Sequence, residues 1–237
     1  MGWEPFPSSH VSLPAAATAT ATRSACAGGT AWPTARPLYA EDLEALCSLD
    51  VAAVRRRLET RAQGSKTAVA LLPDIDTIRW HHAREEFVGR ELHGRAPTVK
   101  GAMASTDDGR RVWCYWTRMW YNPDAGEAKG NTMHILRLVV EDAGHGQADG
   151  RVDEGEAAAI GALLALAQHE AEAWTMERVE LWAPSATAMA AARRLDASAA
   201  EVQRDVESIA SLRWYPAHEG RTADQVEWVG IEKYAWC

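Results

Sequence analysis

Cysteine is scarce in these 237 residues: Cys26, Cys47, Cys114 and Cys237 are scattered, with no C-x-x-C pair among them. That spacing gives neither a disulfide framework nor a structural zinc site. No apolar run of about 18 residues occurs, and no charged-then-apolar leader opens the chain, so neither a membrane span nor secretion is signalled. The Met1-Gly2 start is followed by Trp3-Glu4-Pro5-Phe6, which lacks the Ser or Thr a myristoylation site wants. A basic face is missing as well. The net charge is −8, which argues against a nucleic-acid partner, because phosphate neutralisation needs clustered Lys and Arg. A soluble, reducing, cytoplasmic setting is the expectation. Phenylalanine is nearly absent, with two residues against eleven tryptophans. Aromatics in that number build a core or line a pocket, and composition does not separate the two.

What is present is enough apolar residue (47%) for a sizeable core, in one large domain or one domain with an appendage. The organising stretch is 132–184. HILRLVVE (134–141) is a nearly continuous apolar run interrupted by Arg137, as in a strand buried on both faces. In 156–174, Ile160, Leu163, Leu164, Ala167, Ala171 and Trp174 form one stripe along a helix. ERVELW (177–182) is a second strand, closed by Pro184. Strand, crossover helix and strand predict a βαβ unit in a sheet with a parallel part, whose ligand crevice lies at the carboxyl ends of the strands, here the loop 141–153.

Around that unit the order is helix, strand, helix, hairpin before it and helix, hairpin after it. Residues 1–14 carry an apolar beat at Trp3, Phe6, Val11 and Leu13, with little nearby to pair against. Residues 15–37, a tract of Ala, Thr, Gly and Pro, predict a linker. A helix runs over 41–61, with Leu43, Leu46, Cys47, Val54 and Leu58 inward and Arg55–Arg57 in solvent. A strand spans 66–73. The next helix, 77–92, is capped by Asp76 and has Trp80, Ala83, Phe87, Val88 and Leu92 as its apolar positions. Strands at 98–104 and 110–121 flank a Thr106-Asp107-Asp108-Gly109 turn. Ser185 caps a short helix to Leu195, and strands at 208–215 and 226–236 form a terminal hairpin around 218–224. The fold class is α/β, a mixed, partly parallel sheet flanked by helices.

Several segments resemble the fungal, yeast-type lysine N-acetyltransferase family of the GNAT superfamily. They are WHHAREEFV (80–88), VWCYWTRMWYNPD (112–124), KGNTMHILRLVVED (129–142), VELWAP (179–184), SIASLRWY (208–215) and VEWVGIEKYAWC (226–237). In that family such segments belong to the C-terminal half. The N-terminal half carries an R/Q-x-x-G-x-G/A loop that holds the coenzyme pyrophosphate. Residues 1–14 resemble the closing strand of the N-terminal half. The resemblance therefore implies a remnant strand (1–14), a linker (15–37) and a GNAT-like C-terminal domain (38–237), in a truncated chain, a fragment or a free-standing second half. It also implies acetyl-CoA as co-substrate, a small-molecule amine or amino acid such as lysine as acceptor, and a homodimer or the missing half as partner. The alternative is a non-catalytic GNAT-like recognition or interface module. The loop 142–155 has four glycines but no R/Q-x-x-G-x-G/A, and its acidic residues oppose a pyrophosphate.

Acetyl transfer to an amine needs a base, an oxyanion donor and an acid for the leaving thiolate. Glu141, at the end of the central strand, is placed for the base or for a solvent-facing strand end. Tyr234 is the candidate acid or a core aromatic. Arg118 and Arg137 each interrupt an apolar strand; they hold a substrate carboxylate or are neutralised by Glu85 or Glu86. Trp116, Trp120 and Tyr121 would wall the pocket, with His82 and Glu86 beside it. His81-His82 with Glu85-Glu86 lack a third declared ligand, so no metal is expected.

Overall fold

The computed structural model describes residues 4–6, 8–15, 32–61, 66–141, 152–204, 209–215 and 222–236. The strands are β1 (Glu4–Phe6), β2 (Ser8–Pro14), β3 (Arg36–Leu38), β4 (Thr67–Val69), β5 (Gly101–Ser105), β6 (Arg111–Met119), β7 (Thr132–Val140), β8 (Arg178–Trp182), β9 (Glu201–Arg204), β10 (Ala210–Leu212) and β11 (Val226–Trp228). The helices are α1 (Ala40–Arg61), α2 (Ile75–His93), α3 (Glu154–Ala173), α4 (Ala186–Leu195) and the single turn α5 (Thr222–Gln225). Seven strands form one sheet in the order β3-β5-β6-β7-β8-β2-β9. Its pairs are antiparallel except β7–β8, which is parallel and spanned by the α3 crossover. The expected mixed α/β sheet flanked by helices is therefore present.

One core fills the face under α3 and α4, with Val11, Met133, Ile135, Ile160, Leu163 and Leu181. A second, with Leu43, Leu46, Ile78, Trp113, Tyr115, Leu136 and Tyr234, lies on the α1 and α2 side. β6 is buried over nearly its whole length, because its apolar side chains meet a layer on each face. Gly101 on β5 is required where the backbones cross: a Cβ there would lie 2.1 Å from the Cys114 carbonyl oxygen. The β6–β7 register shifts between Tyr115, opposite Arg137, and Trp116, opposite Ile135. Leu136 is the extra residue of a bulge that re-aims the strand at Arg137.

Several expectations are corrected. Ser8–Pro14 has partners on both sides, β8 and β9, and is an interior strand of the main sheet. The end of the expected linker forms the edge strand β3, where Pro37 is tolerated; residues 16–31 lie outside the described residues. The strand expected over 66–73 shortens to β4. The terminal hairpin does not form: β10 pairs with β1, and β11 pairs in parallel with β4.

Helix α2 is capped by Asp74, two residues earlier than the expected Asp76, with Oδ1 accepting from the Thr77 amide at 2.9 Å. Gly94 closes it at φ +67, the left-handed conformation glycine adopts most readily. Asp74→Ala is expected to lower stability by about 1 kcal/mol, read from the midpoint of urea unfolding. Its buried positions are Ile78, His81, His82, Glu85 and Gly89, while Trp80 and Phe87 are 50% and 64% exposed. The buried face of α2 is thus largely polar, opposite to the apolar positions in its sequence. No helix among the described residues is long and apolar enough to cross a membrane.

Candidate functional site

The polar face of α2 meets the end of β6 in a buried ionic cluster. Glu85 Oε2 accepts from both the backbone amide (2.8 Å) and Nη1 (3.0 Å) of Arg118, and Oε1 accepts from Lys100 Nζ at 3.1 Å. Arg118 Nη2 donates to Glu170 of α3 at 2.7 Å. Lys100 also meets Glu86 at 3.0 Å. Burial works to raise the Glu86 pKa, but Lys100 and Arg90 outweigh it and hold it low. Arg118 is thus neutralised inside the fold by Glu85, one of the two acids named from sequence, and by Glu170, which was not. Trp116 is buried, donating to the Val99 carbonyl. The His82 Nε2–H donates to the Trp116 carbonyl at 3.0 Å, and burial, then Lys100, pushes its pKa down to about 3. His81 donates to the Tyr234 carbonyl. No group of three potential metal ligands occurs among the described residues.

Arg137 sits in a separate cluster. Its Nε and Nη2 form a fork on Asp50 of α1, both at 2.8 Å, and Nη1 binds Glu232. The neutralising acids are therefore not Glu85 or Glu86. Sequence reasoning missed Asp50 because it is one acid on a helix whose inner face was read from its apolar residues. Tyr234 packs in the same region, on a 3-10 turn (Lys233–Ala235) in place of the expected strand. Its hydroxyl donates to the Leu71 carbonyl at 2.5 Å, and burial raises its pKa. Glu141 lies at the end of β7, where Arg111 holds both its oxygens and depresses its pKa. Tyr121 is 60% exposed, with its hydroxyl on the Met119 sulfur. The structure gathers Arg118, Glu86, His82 and Trp116 in one place and Arg137 with Tyr234 in another. Glu141 and Tyr121 stand apart from both.

A cleft opens where the parallel strands diverge. β7 and β8 pair only as far as Ile135 and Leu181, while β7 runs on to Val140. The gap, about 120 Å3, is lined by Leu138 and Val140 from β7, Trp182 from β8, Arg57 from α1, and Arg137 and Glu232. Arg55–Arg57 are exposed, as expected, yet Arg57 reaches this cleft. Although the residue as a whole is exposed, partial desolvation of its guanidinium, then repulsion from Arg137, lowers the Arg57 pKa. The carboxyl ends of a parallel pair are where open α/β sheets take ligands, so this cleft is the candidate site.

Residues 10–237 match the family model described as the LYC1 GNAT-like C-terminal domain. The chain belongs to this family. No curated protein and no solved structure matches it. The GNAT-like domain has an acetyltransferase-type fold, and the GNAT superfamily generally binds acetyl-CoA, whose diphosphate calls for free amides or cations at a helix start. Here the start of α3 is occupied by the chain's own carboxylates. The N-cap Asp153 accepts from the Glu156 amide at 2.9 Å, and Glu154 and Glu156 fill the first turn. Arg110 is spent on Asp108, Asp153 and Glu156. These residues do not fit a diphosphate; residues 142–151 of the preceding loop lie outside the described residues.

Proposed function

We propose that this LYC1 GNAT-like domain is an acceptor-recognition module: it holds a small-molecule amine, lysine being the first candidate, in the β7–β8 cleft. Acetyl-CoA chemistry is then supplied by a companion GNAT half or a second copy. The observation that carries this reading is the contrast between an acidic, self-capped α3 start and an open crevice at the carboxyl ends of the parallel pair. It is supported by the state of the two candidate catalysts. Glu141 is clamped by Arg111, so its carboxylate is a weak base. The Tyr234 hydroxyl is already donating to Leu71, with its pKa raised.

The second reading is that the chain itself transfers acetyl from acetyl-CoA to such an amine. It is favoured by the position of the cleft, directly at the mouth of the crossover unit. Calorimetric titration of the full chain with acetyl-CoA and then with lysine separates the two. Lysine binding without acetyl-CoA binding is expected. Micromolar acetyl-CoA binding would transfer support to the second reading, and silence for both ligands would leave neither standing.

A further inference from the structure

We infer that the outward face of α2 pairs two copies of this chain, antiparallel about a twofold axis near Ala83. Helix α2 is amphipathic in the reverse sense: His81, His82 and Glu85 are buried, while Trp80, Ala83 and Phe87 are exposed. Spacings of three and four residues put those three on one stripe. Trp80 is 50% and Phe87 64% exposed. Two large aromatics left in water side by side form a patch of the kind that marks an interaction surface. The choice of a second copy narrows the companions open to the recognition reading, and it holds whatever the cleft binds.

The charges beside the stripe define the partner. Along one flank the accessible side chains run Asp76, Arg79, Glu86, Arg90, in the sign order minus, plus, minus, plus. A second α2 laid antiparallel on the stripe sets Arg90 opposite Asp76 and Glu86 opposite Arg79, each contact made twice by the symmetry. A parallel copy would set like charges together. The antiparallel arrangement also brings the acidic first turn of one helix, with Asp76, to the basic last turn of the other, with Arg90 and His93, and so opposes the two dipoles. Within the chain, Arg79 and Arg90 make exposed ion pairs to Glu44 and Glu86, which are weak enough to be shared. Trp80 then lies against Phe87 of the second copy, and Ala83, near the axis, is small enough for the helices to approach closely. Arg84, exposed on the other flank, is the one like-charge approach, and solvent screens it there. The aromatic area withdrawn from water is on the order of 500 Å2. That is short of the roughly 1,200 Å2 of a stable interface, so the dimer is weak and concentration-dependent.

The test is sedimentation velocity of the full chain from about 1 to about 300 μM, repeated for three variants. The parent should shift from 25.9 kDa toward twice that mass as concentration rises. Phe87→Asp should stay monomeric throughout, and Asp76→Arg should weaken association about tenfold. The double variant Asp76→Arg, Arg90→Asp should recover it. Positions 76 and 90 lie about 21 Å apart along one helix, too far to meet within a chain, so recovery reports pairing between copies. Both Asp76 and Phe87 are exposed, and unchanged urea midpoints would show that the fold is kept. A parent that is monomeric at every concentration overturns the pairing and leaves this face to a different partner. A dimer that survives Phe87→Asp places the contact elsewhere, and failure of the double variant to recover overturns the antiparallel register. The lysine titration is separate from all of these outcomes, so the recognition reading stands or falls by itself.

Discussion

Lowering the pH from 7 to 5 is expected to remove about 4 kcal/mol of folding stability, through two histidines that the fold keeps neutral. His82 and His134 both have pKa values pushed down from 6.5 to about 3, chiefly by burial. Lys100, His81 and Arg118 add to this at His82, and Lys233, Arg204 and Arg178 at His134, where Glu180 opposes them. In the unfolded chain each imidazole takes up a proton near pH 6.5, and in the folded chain only near pH 3. Their stabilisation is therefore fully present above pH 6.5 and is lost as pH falls from there toward 3. The slope approaches about 1.4 kcal/mol per pH unit for each histidine. The depressed carboxyl groups Glu141, Glu180 and Glu86 act in the same direction, but only below about pH 4.5. Urea unfolding at half-unit pH steps reads this slope. His134→Phe should remove one proton's share, since neither ring nitrogen of His134 has a hydrogen-bond partner to lose. His82→Gln should remove the other while keeping a donor for the Trp116 carbonyl. A stability that stays flat between pH 7 and 5 would sink the argument.

The same residues show what was legible in the sequence. β6, β7, α3 and β8 were readable because their apolar patterns are local: both faces of β6 are hydrophobic, and α3 carries a helical stripe. Ser8–Pro14 was read as unpartnered because its partners, β8 and β9, lie at the far end of the chain, and no local pattern encodes pairing across that separation. β10 and β11 read as a hairpin because they are neighbours in sequence, yet each pairs with a strand from the N-terminal part. Helix α2 misled in the opposite sense. Periodicity assumes that the buried face is apolar, but here His81, His82 and Glu85 are buried because the carbonyls of Tyr234 and Trp116 and the cations of Lys100 and Arg118 receive them. Trp80 and Phe87 are left outside.

The candidate site was less legible than the fold. Arg118 and Arg137 stood out as charges in apolar strands, and both are indeed neutralised; the Arg137 cluster borders the β7–β8 cleft. Arg57, Trp182 and Glu232 come from a helix, a strand and the C-terminal segment. Arg57 reads as one of three arginines on a wet helix, and Trp182 as the end of an apolar run. Only the divergence of β7 from β8 brings them to one opening. Sequence spacing carries no information about where two paired strands separate.

Glu85→Ala is expected to cost about 3–5 kcal/mol, a large share of the roughly 5–15 kcal/mol that holds a domain of this kind together. Glu85, Lys100 and Arg118 are each 1–2% exposed. Removing the carboxylate leaves the backbone amide of Arg118 without its acceptor and leaves Lys100 facing only Glu86. Arg118 keeps Glu170 and the Val99 carbonyl but loses its tie to α2. Because α2 and α3 pack on opposite faces of the sheet, Arg118 fastens both helices to the end of β6, and the damage reaches both layers. The penalty comes from stranded charge, not from the worth of the ion pair itself, since a buried pair barely repays its desolvation. It follows that Glu85→Leu combined with Lys100→Met should be more stable than Glu85→Ala alone, although it removes more of the cluster. Urea midpoints for the single and double variants decide the point. A single variant within about 1 kcal/mol of the parent, or a double variant less stable than the single, would mean that the cluster is held by packing and that its charges contribute little.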